Sequence, residues 1–403
     1  LITECMFSAS RNALKLSLMN DKITFKNNTI CDCVNLDESP SKSSFIEISL
    51  DSFESPARFV FDTIKFERNK YLRPKELTKG FSGGIGLNVF ASSSGQSFNL
   101  EFNECIFVSN EATDGKGIES GDDENNSHSG GCLYYVDDNE YNLSSLSFVG
   151  CIFNDNFALG KGGVAYIEAA SGGFLLFSNC SFIQNRAGID AASLFVKNGN
   201  NFTLEYSDFV NNSALRMTSS SSLIPADSLS LVPCAGVIIK QTRFIKSVLM
   251  DQQTNVQLVI SSTNSNSDVK IDVFDSIFTV INPSRSILVL RNTNANSEIT
   301  LNNNSFTHFF SFNGTIQNKP FSDVSRLLLS ARDDFVPIFI DANLSGKIKI
   351  ADSCFDASSM YSFSGENVGL SNEASNAPSN LVSESQNILK SLKCIFPSEI
   401  EEI

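Results

Sequence analysis

A phenylalanine recurs along this chain with the same neighbours, and that recurrence limits the fold more than any other feature. The segments Phe102–Ala112, Phe148–Ala158 and Phe177–Ala187 share one template: apolar, two residues, Cys, one residue, Phe, two residues, Asn, one residue, Ala. Taking the second Phe as an anchor extends the template to Phe7, Phe66, Phe107, Phe153, Phe182, Phe209, Phe244, Phe278, Phe306, Phe355 and Phe396. Position −5 holds Ile2, Phe61, Phe102, Phe148, Phe177, Leu204, Ile239, Val273, Leu301 and Ile350; only Ser391, before the last anchor, is polar. Position −7 is apolar wherever it exists, from Phe59 to Leu389.

Positions −7 and −5 share one face of a strand because strand side chains alternate. Position −2, small in Cys105, Cys151, Cys180, Ser207 and Thr242, forms a second such pair with the anchor. Two residues separate the pairs instead of one. The backbone must therefore bend near −3, where Asn, Asp and Gly recur and tolerate left-handed angles. Asn at +3, in Asn110, Asn156, Asn185 and Asn212, is expected to mark a second turn.

Central gaps between anchors are 29, 27, 35, 34 and 28 residues, flanked by gaps of 41 to 49. One turn of a parallel β-helix fits this period, with coils about 4.8 Å apart and equivalent residues in ladders. The expected fold is an all-β, right-handed parallel β-helix (a solenoid) of about eleven or twelve coils, the handedness resting on the general rule for parallel crossovers. Its height is roughly 55 Å. Residues 16–28, with Leu16, Leu18, Ile23, Phe25 and Asn28, are a candidate degenerate coil. The motif segments lack helical spacing. A β-propeller blade needs about 40 to 50 residues, more than a 27-residue gap holds.

The whole chain, 1–403, reads as one domain and as a segment of a longer β-helix, since it starts and stops on repeats. Residues 113–131 and 216–234 are polar or Ser-rich and are expected to leave the column as surface loops. Residues 364–387 are expected to be irregular. No transmembrane span is visible. A net charge of −15 argues against nucleic acid as a partner.

The Phe-x-x-Asn tetrads at Phe107, Phe153, Phe182 and Phe209, with Gly130-Gly131-Cys132, Gly162-Gly163-Val164-Ala165 and the degenerate Asp190-Ala191-Ala192, resemble the repeats of chlamydial polymorphic outer-membrane proteins and of similar protist surface proteins. The resemblance covers about residues 100–215 and implies an extracellular or cell-surface β-helix with roles in adhesion. The tetrapeptide Gly-Gly-Ala-aliphatic is never intact here, and no C-terminal barrel segment is present.

Chemistry leaves few marks. Adjacent cysteines at −2 either stack as buried thiols or lie within disulfide range. Cys31, Cys33, Cys132 and Cys234 are off the ladder and are expected to be exposed or paired. Cys31-Asp32-Cys33 is a weak metal signal in a chain with two His. Asp114, Glu119, Asp122, Asp123 and Glu124 match no calcium-loop spacing and read as a solvated loop. Asp62, Glu104, Asp275 and Asp352 occupy or adjoin the bend, which explains them without catalysis. Lys65, Arg68 and Arg243 show no recurring partner, and His128 and His308 lie beside no nucleophile motif. No residue stands out as catalytic, cofactor-binding or metal-binding. Nine N-x-S/T sequons occur, at Asn27, Asn125, Asn142, Asn179, Asn201, Asn211, Asn303, Asn313 and Asn343. About 40 Asn predict roughly eight by chance, so the total does not point to secretion. Asn179 and Asn303 sit in the bend slot, where a glycan requires a solvent-facing bend.

The sequence thus favours an adhesin-like surface module binding an unidentified protein or glycan. The alternatives are a polysaccharide-active enzyme (lyase, hydrolase or epimerase) on a β-helix scaffold and a structural spacer.

Overall fold

The computed structural model describes residues 1–8, 14–18, 22–36, 46–50, 57–72, 87–91, 97–113, 129–136, 142–168, 173–197, 201–215, 226–232, 236–246, 256–262, 269–281, 288–292, 298–309, 338–340, 347–351, 354–355 and 381–383. These residues form parallel sheets of stacked short strands and no helix, the arrangement of a parallel β-helix. One coil shows the plan. Phe174–Ser178 lies on the first face, Ser181–Ile183 on the second, Arg186–Ala187 on the third and Leu194–Lys197 on the fourth. The next coil begins at Asn201. The first face is a 12-stranded sheet, the second 11-stranded and the third 6-stranded; the fourth is divided into sheets of 3 and 7 strands.

Register follows the expected ladder. Phe61 pairs with Phe102, Phe102 with Phe148 and Phe148 with Phe177. Phe107 pairs with Phe153, Phe153 with Phe182 and Phe182 with Phe209. All of these rings are buried. Within the anchor ladder the centroids of successive rings lie 4.4 Å apart at Phe182–Phe209 and 4.8 Å at Phe153–Phe182, both nearly parallel. The two Phe ladders meet edge to face, as at Phe148–Phe153, 5.5 Å and 68°. Aromatic pairs of this kind add about 0.5–1.5 kcal/mol beyond burial.

Both bends are left-handed. The −3 residues Asn27, Thr63, Glu104, Gly150, Asn179, Tyr206, Gln241, Asp275 and Asn303 have φ between 48° and 65°. At the second turn the left-handed residue is +2, not the expected Asn: Asp32, Arg68, Ser109, Asp155, Gln184 and Asn211 take φ of 52° to 55°. The Asn that follows points inward. Asn69, Asn110, Asn156, Asn185 and Asn212 are all buried. Each Nδ2 donates to the anchor carbonyl of the preceding coil, as from Asn156 to Phe107 at 3.0 Å. Each Oδ1 accepts the backbone N–H of the preceding ladder residue, Cys33 for Asn69 and an Asn for the others, as at Asn156 from Asn110 at 3.0 Å. Turning the chain removes these backbone groups from the strand ladders, and the side chain one coil along satisfies them.

This ladder explains the third face. Its strands are Val34–Leu36, Lys70–Leu72, Glu111–Thr113, Phe157–Ala158, Arg186–Ala187 and Ser213–Ala214. Each follows directly on Cys33 or on a ladder Asn. Where +3 is Ser247, Ile281 or Phe309, no third-face strand occurs among the described residues. There the second-face strand runs on instead, as in Ile277–Ile281 and Ser305–Phe309.

The sheet edge this leaves behind is closed by a buried ion pair. In earlier coils the carbonyl of the ladder Asn accepts a backbone N–H from the next coil, as Asn185 does from Ser213. At Asn212 the Lys246 ammonium donates instead. Ala214 N–H, on the same edge strand, donates to Asp227 Oδ1 at 3.0 Å. Lys246 and Asp227 lie 3.7 Å apart with side chains 3% and 1% exposed.

Several expectations need correction. Residues 226–231 do not belong to a surface excursion over 216–234: Ala226–Leu231 is a buried fourth-face strand paired with Leu194–Lys197. Thr113 and Ser129–Gly131, at the ends of the 113–131 excursion, are buried in the column. Residues 114–128, 216–225 and 233–235 lie outside the described residues. The degenerate coil exists but is anchored by Ile30. Ile23 and Phe25 take positions −7 and −5 by pairing with Phe59 and Phe61, Asn28 takes −2, and Leu16 and Leu18 belong to the coil before. Leu381–Ser383, inside the irregular 364–387 segment, is a first-face strand. It pairs Leu381 with Ile348, so the register departs from one set by Phe396, which lies outside the described residues.

Two substitutions test the core. Phe182→Ala should cost about 3–5 kcal/mol in urea denaturation. Asn156→Leu strands at least the Asn110 N–H and the Phe107 carbonyl and should cost about 3 kcal/mol; a neutral outcome would refute the ladder. Lys246→Met, which leaves Asp227 buried without its cation, should cost about 3–5 kcal/mol. Adding Asp227→Asn should recover part of that loss, and the double-mutant cycle measures the coupling.

Candidate functional site

Strand alternation that turns Phe inward turns another set of residues outward. On the first face this set includes charges paired across coils, Arg58 with Glu101 at 2.5 Å, Lys26 with Asp62 at 3.1 Å and Lys240 with Glu205 at 2.6 Å, and two exposed apolar residues in separate coils, Phe174 and Ile238. The second face differs. Register aligns Lys65, Ile106, Ile152, Ser181, Asp208 and Arg243 at position −1. Val108, Asn154, Ile183, Val210 and Ile245 align at +1, all half-buried. Ile106 and Ile152 are neighbours, 37% and 40% exposed, and Val149 adds 39% at the adjoining corner. An apolar strip thus runs up the second face between two charged ends. One end carries Lys65–Glu67 at 2.7 Å and Arg68–Asp32 at 2.7 Å; the other carries Arg243–Asp208 at 2.6 Å.

Lys65, Arg68 and Arg243, which show no recurring partner in the sequence, each hold a carboxylate at those charged ends. Arg68 and Arg243 each grip a carboxylate one coil away. The partners are 36 and 35 residues distant, so a search of local sequence misses them. Arg68 holds the Asp32 carboxyl below its usual range, and Lys65 does the same to Glu67. A general acid needs the opposite shift. Of the other carboxylates, Asp62 pairs with Lys26, Glu104 is exposed at a bend, and Asp275 accepts from the Asn303 amide at 2.6 Å. Asp352 and His128 lie outside the described residues; His308 lies on a second-face strand.

The seven cysteines whose side chains are described are free thiols, and six of them are buried. Cys105, Cys151 and Cys180 each donate to the carbonyl of the −5 residue one coil back, at 3.4 Å, the task Asn28 and Asn304 perform at the same slot with Nδ2. Burial, then the flanking thiols, pushes the Cys151 thiol up. Cys31, Cys33 and Cys132, expected to be exposed or paired, are instead buried; Cys33 stands in the Asn ladder and donates its N–H to Asn69 Oδ1. Burial pushes the Cys132 thiol up as well. Such thiols are protonated and unreactive. Cys234 lies outside the described residues, as does the acidic cluster from Asp114 to Glu124. No group of three metal-ligating side chains occurs among the described residues, and no described helix could cross a membrane.

The Gly-Gly turn leads into the fourth face. Gly162 has φ 66°, and a Cβ on Gly163 would stand 2.1 Å from the Ala192 carbonyl oxygen. Beside it lies a buried carboxylate that sequence reading passed over. Asp190 accepts Ala226 N–H at 2.7 Å. Burial pushes its pKa up to about 6, against the pull of that N–H and of nearby Lys161. A raised carboxyl pKa is a functional signature only where substrate can reach it, and Asp190 is 8% exposed.

The shift has a sign that can be measured. The native state holds this proton above the unfolded value near 3.9, so the Asp190 contribution to stability is full below about pH 4 and falls as pH rises to about 6. Its span is about 3 kcal/mol. Asp190→Asn should remove it. The stability difference between variant and parent, from urea titrations at pH 4 and pH 7.5, should favour the variant at the higher pH.

No family model matches the chain, and no curated protein is significantly similar to it.

Proposed function

We propose that this chain is a cell-surface or secreted interaction module, an adhesin-like segment that binds a protein or glycan ligand and performs no catalysis. The observation that carries the reading is the exposed apolar strip of the second face, centred on Ile106 and Ile152. Contiguous exposed apolar area of this kind marks interaction sites. A plain spacer would carry featureless Ser and Asn ladders on its long faces; here the first face carries cross-coil ion pairs and the second an apolar strip between charged ends. A polysaccharide-active enzyme would place carboxylates tuned for proton transfer in adjacent coils, whereas Asp32, Glu67 and Asp208 are bound to basic side chains. The resemblance of the Phe-x-x-Asn and Gly-Gly motifs to polymorphic outer-membrane protein repeats supports the same assignment.

The test is binding of the purified chain to cells and to immobilised glycans and proteins. Ile106→Glu with Ile152→Glu should weaken that binding at least about tenfold, with the melting temperature unchanged, because both side chains point out of the core. Polysaccharide cleavage without binding to any surface would overturn the proposal.

A further inference from the structure

The structure divides the asparagines into two populations. Asn28, Asn69, Asn110, Asn156, Asn185, Asn212 and Asn304 are buried. None begins an N-x-S/T sequon, because the residue two further on is Ile30, Tyr71, Ala112, Ala158, Ala187, Ala214 or Phe306. Among the described asparagines that are exposed or half-buried, Asn27, Asn179, Asn201, Asn211 and Asn303 begin sequons, and Asn99, Asn103, Asn154 and Asn302 do not. Chance predicts roughly one in five. A total that looks random for the chain conceals a concentration of sequons on its outside.

Three of these share one line. Asn27, Asn179 and Asn303 all occupy the left-handed −3 bend, all are exposed, and Thr29, Ser181 and Ser305 follow at −1 with half-buried, outward side chains. They belong to the second, sixth and tenth strands of the first face. Even intervals of four coils separate them by about 19 Å along the ridge. Neighbouring positions on the ridge leave room: Asn179 lies between Gly150, which has no side chain, and Tyr206, which is 51% exposed with Lys240 over its ring. Asn303 Nδ2 donates to Asp275 at 2.6 Å, a bond that one remaining N–H can keep.

We propose that Asn27, Asn179 and Asn303 are N-glycan attachment sites. The co-reactant is a polyprenyl-diphosphate-linked oligosaccharide. Nδ2 forms a bond to the anomeric carbon, the bond from that carbon to the diphosphate breaks, the diphosphate leaves with the bonding pair, and Nδ2 loses one proton. The inference rests on the surface or secreted reading, since the donor belongs to the secretory route. It also refines that reading: Ile106 and Ile152 lie in the fourth and fifth coils, inside the interval between Asn27 and Asn179, so glycans would frame the apolar strip and leave it open.

The experiment has two arms. The full chain is expressed behind a cleavable secretory leader in eukaryotic cells, and the secreted protein is treated with amidase in 18O water and mapped by peptide mass spectrometry. Labelled Asp at 27, 179 and 303 is expected, with three stepwise losses of gel shift in the Asn→Gln series. Secreted, folded protein with bare Asn at all three positions overturns the inference. In the second arm the protein is isolated from its native cells. Surface material bearing glycans at these positions supports both readings, surface material with bare asparagines overturns the glycan sites alone, and purely cytosolic material overturns the surface reading.

Discussion

Each coil must turn corners, and every corner withdraws backbone N–H and C=O groups from the strand ladders inside a dry column. A buried group left unpaired costs about 1–3 kcal/mol, so repeated over a dozen coils the debt would exceed the stability of an ordinary domain. The chain meets this constraint with one device used at two corners. A residue in the left-handed region turns the backbone, and the next residue points inward and binds the coil before it. At the second corner Asn does this with both ends of its amide: Asn185 Nδ2 to the Phe153 carbonyl and Asn185 Oδ1 from Asn156 N–H, each at 3.0 Å. At the first corner Asn28 and Asn304 do the same, while Cys105, Cys151 and Cys180 supply the donor alone. Ser207, at the same slot one coil on, supplies the acceptor half, taking the Cys180 N–H at Oγ.

The Phe ladders depend on this device. Rings stack at 4.4–5.0 Å in the Phe102–Phe148–Phe177 and Phe153–Phe182–Phe209 runs because the bends return each strand to the same height and phase. Where the Asn is lost the anchor ladder persists, through Phe244, Phe278 and Phe306 at 4.8 Å, but no third-face strand follows among the described residues. Stacking therefore does not define the outline of the column; the corner hydrogen bonds do. The Lys246–Asp227 pair belongs to the same logic. It lies where the third-face edge meets no further strand among the described residues, and it provides a cation for the carbonyl of Asn212 and an anion for the N–H of Ala214. A buried pair is weak evidence for stability in general, but here each charge also completes a backbone ladder.

Much of this was legible in the sequence, for a physical reason. Inward positions repeat in type because they repeat in environment, so the Phe, Cys and Asn ladders could be read from Phe102, Cys105, Phe107 and Asn110 onward, and the bend at −3 followed from counting residues. Mechanism was harder to read than place. Asn at +3 looked like the turn residue because Asn tolerates left-handed angles, but the turn is made by whichever residue precedes it, including Arg68 and Gln184. The degenerate coil over 16–28 could be seen but not phased, because the Phe25-x-x-Asn28 tetrad arises at −5 as readily as at the anchor when −2 is also Asn. Ala226–Leu231 was hidden by the Ser-rich stretch before it, and the partners of Arg68 and Arg243 by the length of one coil. Contacts between coils have no fixed spacing in sequence when loops of different length intervene.

The same separation of inside from outside governs what can be said of function. Inward residues are held by the column and carry no information about a ligand. Outward residues are free to vary, so a departure from a bland Ser/Asn surface is informative even without a motif. The second face makes that departure at Ile106 and Ile152: a coil-to-coil apolar pair gives nothing to the core, since both side chains point away from it, and it exposes area that a solitary column would do better to cover with polar groups. The bend ridge makes a second departure: each described buried Asn is followed two places on by an aliphatic or aromatic residue, and the Ser and Thr that complete the sequons follow exposed or half-buried asparagines. Geometry alone permits a sequon at the ridge; it does not require three of them at even intervals of four coils. Both departures face outward on adjoining surfaces, and both make sense if the column is something other molecules approach from that side.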